Sequence, residues 1–304
     1  MKGQGITRRE ALLAAAALAA TPVRGLTEES KMISRKIPAS GEALPVIGLG
    51  TYHVFDVAST PDNIATRKTI VDMLVDSDGR LIDTSPMYNR SEKVIGDIIA
   101  AGSGRDALFL ATKVWTDGRD AGLAQMRRSF ELMNTDVIDL MQVHNLRDTA
   151  THMESIRELQ EQKRIRYNGV THYTASALDA LETAMRAFEP QFIQINYSLA
   201  EREAERRVLP LARELGIAVL VNRPFQAGRL FRAVAGHDLP DWAQDFASSW
   251  GQFFLKFIVS HPAVTCVIPA TSKPRHMTDN LAAGFGSLPD AATRTRMADY
   301  LESL

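Results

Sequence analysis

Four side chains of complementary chemistry lie at or just after the ends of short apolar runs. They are Asp83, Tyr88 five residues further on, Lys113 and His144. Tyrosine alone is a poor acid near neutrality, because its ordinary pKa is about 10. A lysine cation beside it favours the phenolate and lowers that pKa, and a carboxylate beside the lysine holds the cation charged and in place. Histidine can donate a hydrogen bond to a carbonyl oxygen. Such a set suits proton delivery to an oxygen that is gaining negative charge, as in carbonyl reduction, where the hydride must come from a cofactor. Each residue also has an ordinary structural reading. Asp83 could cap a helix, Tyr88 could pack in a loop, Lys113 could be a solvated strand end, and His144 could be a satisfied core histidine. Convergence of all four at successive strand ends favours chemistry.

The elements that must bring them together follow from the hydrophobic pattern. Candidate strands cover residues 46–49, 81–83, 108–113, 137–143, 165–170, 192–196, 218–222 and 264–269. Helical patterns lie between them, for example at 63–76, 91–101, 155–162, 176–188 and 203–215, with Ser91 and Ser176 where N-caps belong and Gly216 just past a helix end. Eight strand–helix alternations predict an α/β fold, a (β/α)8 TIM barrel, because parallel strands need crossover helices. Residues 33–38 and 43–46 around Ser40-Gly41 predict an N-terminal β-hairpin. A doubly wound sheet would show G-x-G-x-x-G after its first strand, and Gly48-Leu49-Gly50 lacks the third glycine. A barrel places its site at the C-terminal strand ends, which also carry Thr171-His172, Gln194, Asn196 and Thr271-Ser272-Lys273.

The segment from Asp83 to Glu92, DTSPMYNRSE, resembles the D-T-A-x-x-Y-G-x-S-E signature of the aldo/keto reductases. Lys113 in Thr112-Lys113-Val114-Trp115 and His144 in Gln142-Val143-His144 complete that family's tetrad. Residues 268–274, IPATSKP, followed by Asp279-Asn280, resemble its phosphate-binding segment. The resemblance runs from about Ile33 to the C-terminus. It implies an oxidoreductase that reduces an aldehyde or ketone to an alcohol with NAD(P)H, a small carbonyl substrate and a monomer. Tyr88 would be the general acid, Asp83 and Lys113 would tune it, and His144 would orient the carbonyl. Gly50 and Thr51 would approach the cofactor, and Thr171, His172 and Gln194 would hold its carboxamide. Thr271, Ser272, Lys273, Arg275 and Asn280 would hold its adenosine end. Tyr52 and Trp115 would line the substrate pocket.

Three departures from the family pattern stand out. Asn89 replaces the glycine after the catalytic tyrosine, and asparagine tolerates positive φ better than most residues. Asn222 falls where many members stack an aromatic ring on the nicotinamide, a role that Phe225 could take over. Ala270 and His276 stand where many NADPH-specific members carry lysine and arginine. Lys273 and Arg275 remain as donors to a 2′-phosphate, so NADP(H) is favoured over NAD(H). The chain ends at Leu304, soon after a helical pattern at 291–301, which predicts an open pocket with specificity set by the loops after strands one, three and four.

The chain has 304 residues with 45% hydrophobic and 23% charged residues, values of an ordinary globular protein. Its net charge of -1 offers no basic field for nucleic acid. The single cysteine, Cys266, forms no internal disulfide, and no Cys/His cluster suits a metal. Residues 1–30 form a separate leader ahead of a barrel domain at 31–304. Thr7-Arg8-Arg9 precedes an apolar run from Ala11 to Ala20, with a small-residue cleavage site at Ala17-Leu18-Ala19. This pattern resembles a twin-arginine export signal, implying the export machinery as a partner and a periplasmic location for a protein folded before transport. The apolar run is too short for a stable membrane anchor. Two rival functions share these residues. One is a Schiff-base aldolase using Lys113, and the other is a non-catalytic, reductase-like nucleotide-binding subunit.

Overall fold

The computed structural model describes residues 31–304, so the leader expected at 1–30 lies outside the described residues. The described chain is an eight-stranded parallel barrel wrapped by helices. The strands are β3 (Leu49–Gly50), β4 (Leu81–Asp83), β5 (Phe109–Val114), β6 (Ile138–His144), β7 (Ile165–Thr171), β8 (Phe192–Asn196), β9 (Ala218–Asn222) and β10 (Cys266–Val267). Each pairs in parallel with the next in chain order, and bridges between Ile47 and Val267 and between Gly50 and Ala270 close the circle. The closure is tight. A Cβ on Gly50 would lie 2.7 Å from the Ile268 carbonyl oxygen, closer than packed atoms approach. The hairpin precedes the barrel as β1 (Ser34–Lys36) and β2 (Ala43–Pro45), paired antiparallel. Its Ile37 and Leu44 are fully buried and share one apolar cluster with Leu81, Phe109, Leu140, Tyr167, Phe192, Leu220 and Cys266.

Strand parity sorts the side chains into two shells, because successive residues of a strand point to opposite faces. On β5, Phe109 and Ala111 belong to the interior cluster, whereas Leu110 and Val114 pack outward against the helices. The same parity carries the chain from Leu140 to Gln142 and His144 on β6, from Tyr167 to Gly169 and Thr171 on β7, and from Phe192 to Gln194 on β8. The interior is therefore apolar toward the N-terminal strand ends and polar toward the C-terminal ends.

The helical layer comprises α1 (Pro61–Asp76), α2 (Ser91–Ala100), α3 (Arg119–Leu132), α4 (Thr149–Glu161), α5 (Leu178–Phe188), α6 (Val208–Glu214), α7 (Arg229–Ala233), α8 (Trp250–Val259), α9 (Pro274–Ala282) and α10 (Ala291–Glu302). Three start on recognisable caps. Thr60, Ser249 and Asp290 each accept the backbone N–H three residues on.

Ser91 does not cap α2. It is the first helical residue, and Arg90 takes the cap position without a side-chain bond, because Ser91 is drawn into the core. Ser176 falls inside a 3-10 turn, with Thr174 in the capping position. The pattern at 203–215 divides into a 3-10 turn and α6, and the helix expected at 155–162 begins earlier, at Thr149.

Gly96 lets α2 approach the end of α3, where an added Cβ would lie 2.0 Å from the Leu132 carbonyl oxygen. Gly96→Ala should therefore lower stability by about 2 kcal/mol despite alanine's better helix propensity, read as a shift in the urea midpoint. An unchanged or raised midpoint would contradict this packing.

Candidate active site

The polar end of the barrel interior is organised by one carboxylate. Asp83 ends β4, 2% exposed, and its Oδ2 accepts a hydrogen bond from Lys113 Nζ at 2.6 Å. Lys113 reaches it from the inward face of β5 and also donates to the Thr84 carbonyl at 2.7 Å. The other oxygen, Oδ1, accepts from Gln194 Nε2 at 2.8 Å and Gln142 Nε2 at 3.1 Å. Burying two charges is costly unless they are paired and their remaining hydrogen-bonding capacity is filled, and here both conditions are met. Sequence reasoning gave Gln142 no role. Its signal was parity, two residues before His144 on one strand.

Above this pair lies a cavity of about 780 Å³ lined by Asp83, Tyr88 and His144, with Tyr52, Met87, Trp115 and Phe225 among its apolar walls. Lys113 Nζ lies 5.1 Å from the centre of the Tyr88 ring. The Tyr88 and His144 rings stand nearly edge to face, with centroids 6.2 Å apart. The structure thus brings together the four residues expected from sequence, with Tyr52 and Trp115 on the same cavity.

Burial pushes the Tyr88 phenol above its ordinary pKa, and the Lys113 charge, the next largest influence, opposes that rise without cancelling it. The lowering by Lys113 expected from the sequence is present, but desolvation outweighs the attraction of a cation already engaged with Asp83. Lys113 is itself held above its ordinary value. Its burial works against the charge, and Asp83 and Tyr88 overcome that. A lysine so paired remains protonated and is no amine nucleophile, which removes the basis of the Schiff-base reading. His144 is pushed down to about 3 by burial, then by the Lys113 and His172 charges, and is neutral across the physiological range.

Of the residues expected at the cofactor, Gly50, Thr51, Thr171 and Gln194 line the cavity. Thr51 Oγ1 donates to the Asp83 carbonyl at 3.0 Å, which ties the first loop to β4. The His172 side chain is not at the cavity. Its Nδ1 accepts from the Thr174 N–H at 3.3 Å and its ring stacks on Tyr173, because its position after the end of β7 turns it into the loop. Asn222 donates to the His172 carbonyl and to Gln194 Oε1, both at 3.2 Å, so it extends the amide network of the barrel floor. Thr271 and Asn280 are buried, and Lys273 and Arg275 are exposed around the N-terminus of α9. A dinucleotide fits these surfaces. An amide-lined cavity lies beside the tetrad, and a helix N-terminus flanked by two cations suits a phosphate.

Loops hold the mouth in shape. Asn89 adopts φ 51° and donates to Asp56 at 2.8 Å, so the glycine of the family signature is replaced by a residue anchored in the same left-handed region. Asn145, Leu146 and Asp148 after β6, and Arg223, Gln226 and Ala227 after β9, also have positive φ. Backbone strain of this kind gathers where surrounding structure fixes a functional surface. Asp117 pairs with Arg147, Gly118 donates to Asp148 at 2.7 Å, and Arg147 lies over Trp115, which locks the loops after β5 and β6 together. Glu92 is buried and accepts from Thr112 at 2.7 Å, fastening α2 to β5 behind Lys113.

The sequence model of the aldo/keto reductase family matches residues 46–295. The chain belongs to the aldo/keto reductase family. Membership makes it an NAD(P)H-dependent oxidoreductase acting on carbonyl groups. It is 29% identical to the methylglyoxal reductase YeaE of Escherichia coli (strain K12) over 266 residues, covering 83% of this chain and 89% of that protein. It is 31% identical over 194 residues to the aldo-keto reductase YhdN of Bacillus subtilis, covering 58% of this chain and 56% of that one. The crystal structure of an aldo/keto reductase from Klebsiella pneumoniae in complex with NADP and acetate superposes with a TM-score of 0.72. It is 24% identical, and the match covers 86% of this chain and 93% of that one.

Two desolvated imidazoles, the buried His144 and the partly buried His261, make stability pH-dependent. His144 is held at about 3, and His261 is pushed down to about 4 by burial and the Arg294 charge. Between those values and 6.5 the unfolded chain takes up protons that the folded chain refuses, so stability is lost as pH falls below 6.5. His144 should cost about 2 kcal/mol at pH 5, and the partly exposed His261 less, because solvent screens its shift. Urea midpoints of the wild type and His261→Gln, compared at pH 7 and 5, should show a smaller acid loss in the variant. Equal losses would contradict the assignment.

Proposed function

We propose that this aldo/keto reductase reduces an aldehyde or ketone with Tyr88 as the general acid, and that NADPH is its preferred reductant. The observation that carries this reading is a cavity lined by both Tyr88 and His144, directly above the Asp83–Lys113 pair. NADPH bound along the Thr171–Gln194 side would supply the hydride. The chain's residues manage the proton and the oxygen. Tyr88 stays protonated until it gives its proton to the carbonyl oxygen, and the nearby Lys113 charge stabilises the phenolate left behind. That help is largest when the phenolate forms, so it is spent on the transition state. Asp83 is too fully bonded to Lys113, Gln142 and Gln194 to act as an acid. Tyr52, Met87, Trp115 and Phe225 give the cavity apolar walls around the reacting oxygen.

The preference for NADPH rests on Lys273 and Arg275 beside α9, and it is supported by solved relatives described as NADP complexes. Methylglyoxal is the first substrate to test, since YeaE is named for it. Tyr88→Phe should lower methylglyoxal turnover by about 10²–10⁴-fold while NADPH affinity, followed by fluorescence titration, stays within about twofold. Turnover that survives the substitution would sink the acid assignment and leave the nucleotide-binding subunit as the better reading. NADH binding as tightly as NADPH would remove the cofactor preference.

We further propose that the leader exports the folded protein by the twin-arginine route to the periplasm, with its nucleotide loaded before transport. The support is Arg8-Arg9 ahead of the apolar run, on a fold that holds a dinucleotide. Fractionation should place the wild type in the periplasm with nucleotide released on denaturation, and Arg8→Lys with Arg9→Lys should retain it in the cytoplasm. Periplasmic protein without nucleotide would refute the loading.

A further inference from the structure

The turn from Asp83 to Tyr88 carries a group to which the sequence assigned no role. Ser85 stands where the family signature has alanine. It is fully buried, and its Oγ lies 3.2 Å from His144 Nδ1. The same oxygen accepts the Met87 N–H at 3.2 Å. His144 Nε2 has no hydrogen-bond partner among the described residues, and the ring lines the cavity.

Donors and acceptors decide the tautomer. A serine hydroxyl has one proton to give and two lone pairs. The Met87 N–H can only donate, so it occupies one lone pair. The hydroxyl proton then needs an acceptor, and among the described residues His144 Nδ1 is the only one in hydrogen-bonding reach. If Nδ1 carried a proton and donated to Ser85, the serine proton would be left without an acceptor at a fully buried position. Nε2 would also face the cavity as a bare lone pair, opposite a carbonyl oxygen that is itself an acceptor. Placing the imidazole proton on Nε2 satisfies both the serine and the ring.

We infer that Ser85 is a positioning residue that holds His144 in the Nε2–H tautomer, so that the ring donates a hydrogen bond into the cavity toward the substrate's carbonyl oxygen. The inference rests on the reductase reading, and it gives the Asp83–Tyr88 turn a second task. The backbone that spaces the acid also sets the proton on the neighbouring ring.

The test is the nitrogen-15 spectrum of the histidine-labelled full chain, with His144 assigned by loss of its signals in His144→Gln. The wild type should show Nε2 protonated and Nδ1 as an acceptor. Ser85→Ala should remove the donor to Nδ1, shift its resonance and let the Nδ1–H form appear beside the Nε2–H form, and it should lower kcat for methylglyoxal by about tenfold, with NADPH affinity within about twofold. Ser85→Thr, which keeps the hydroxyl, should restore both the spectrum and kcat. A wild-type ring protonated at Nδ1 would overturn the inference, and so would an unchanged His144 pattern in Ser85→Ala. Should the alanine variant fail to fold, the wild-type and threonine spectra still decide. Failure of the reductase reading itself shows separately, as turnover that survives Tyr88→Phe.

Discussion

The ion pair between Asp83 and Lys113 is the constraint around which the site is built. Two opposite charges are taken almost wholly out of water and set 2.6 Å apart between adjacent strands. Such a pair is poor value for stability alone, since an apolar pair of similar volume would pack as well. Its presence makes sense through what it does to its surroundings. The pair keeps a cation beneath Tyr88, holds Gln142 and Gln194 in fixed orientations, and adds to the burial that keeps His144 uncharged.

Barrel geometry makes such an arrangement possible. Parallel strands of a closed sheet point every second residue inward, so a change from apolar to polar along each strand becomes a change along the barrel axis. Leu81, Phe109, Leu140, Tyr167 and Phe192 fill the lower interior with the hairpin's Ile37 and Leu44. One or two inward positions further along come Asp83, Lys113, Gln142, His144, Thr171 and Gln194. The lower layer excludes water and stiffens the floor, and the upper layer carries the chemistry. Cys266 belongs to the lower layer, where burial pushes its thiol up and keeps it inert.

The acid is tuned by opposing effects. Desolvation raises the Tyr88 pKa and Lys113 lowers it, with desolvation the larger. A phenol that is reluctant to ionise at rest and helped once it has done so suits an acid that must act only during reduction. His144 is arranged differently. Its neutrality comes from burial and neighbouring positive charge, and its tautomer from a hydroxyl.

Much of this was legible in the sequence. Eight β-branched runs alternating with helical patterns specify a parallel barrel, and the residues that end those runs fall at one mouth because a parallel barrel gathers its strand ends there. Asp83, Tyr88, Lys113 and His144 were readable for that reason, as was Asn89 as a residue able to take positive φ. Interactions that depend on three-dimensional neighbours were not. Ser91 carries a capping residue's identity, yet packing draws it into the core as the first helical residue and leaves the cap position of α2 to Arg90. That the His172 ring lies against Tyr173, with its Nδ1 accepting the Thr174 N–H, was not readable either. Gln142 and Ser85 lie within the quoted motifs but have no role assigned by them, and their roles arise from partners 59 residues away in both cases, Asp83 and His144. Local pattern fixes which elements form and which residues face inward, because those depend on periods of two and 3.6 residues. Which donor meets which acceptor, and whether burial outweighs a neighbouring charge, was decided only when the barrel closed.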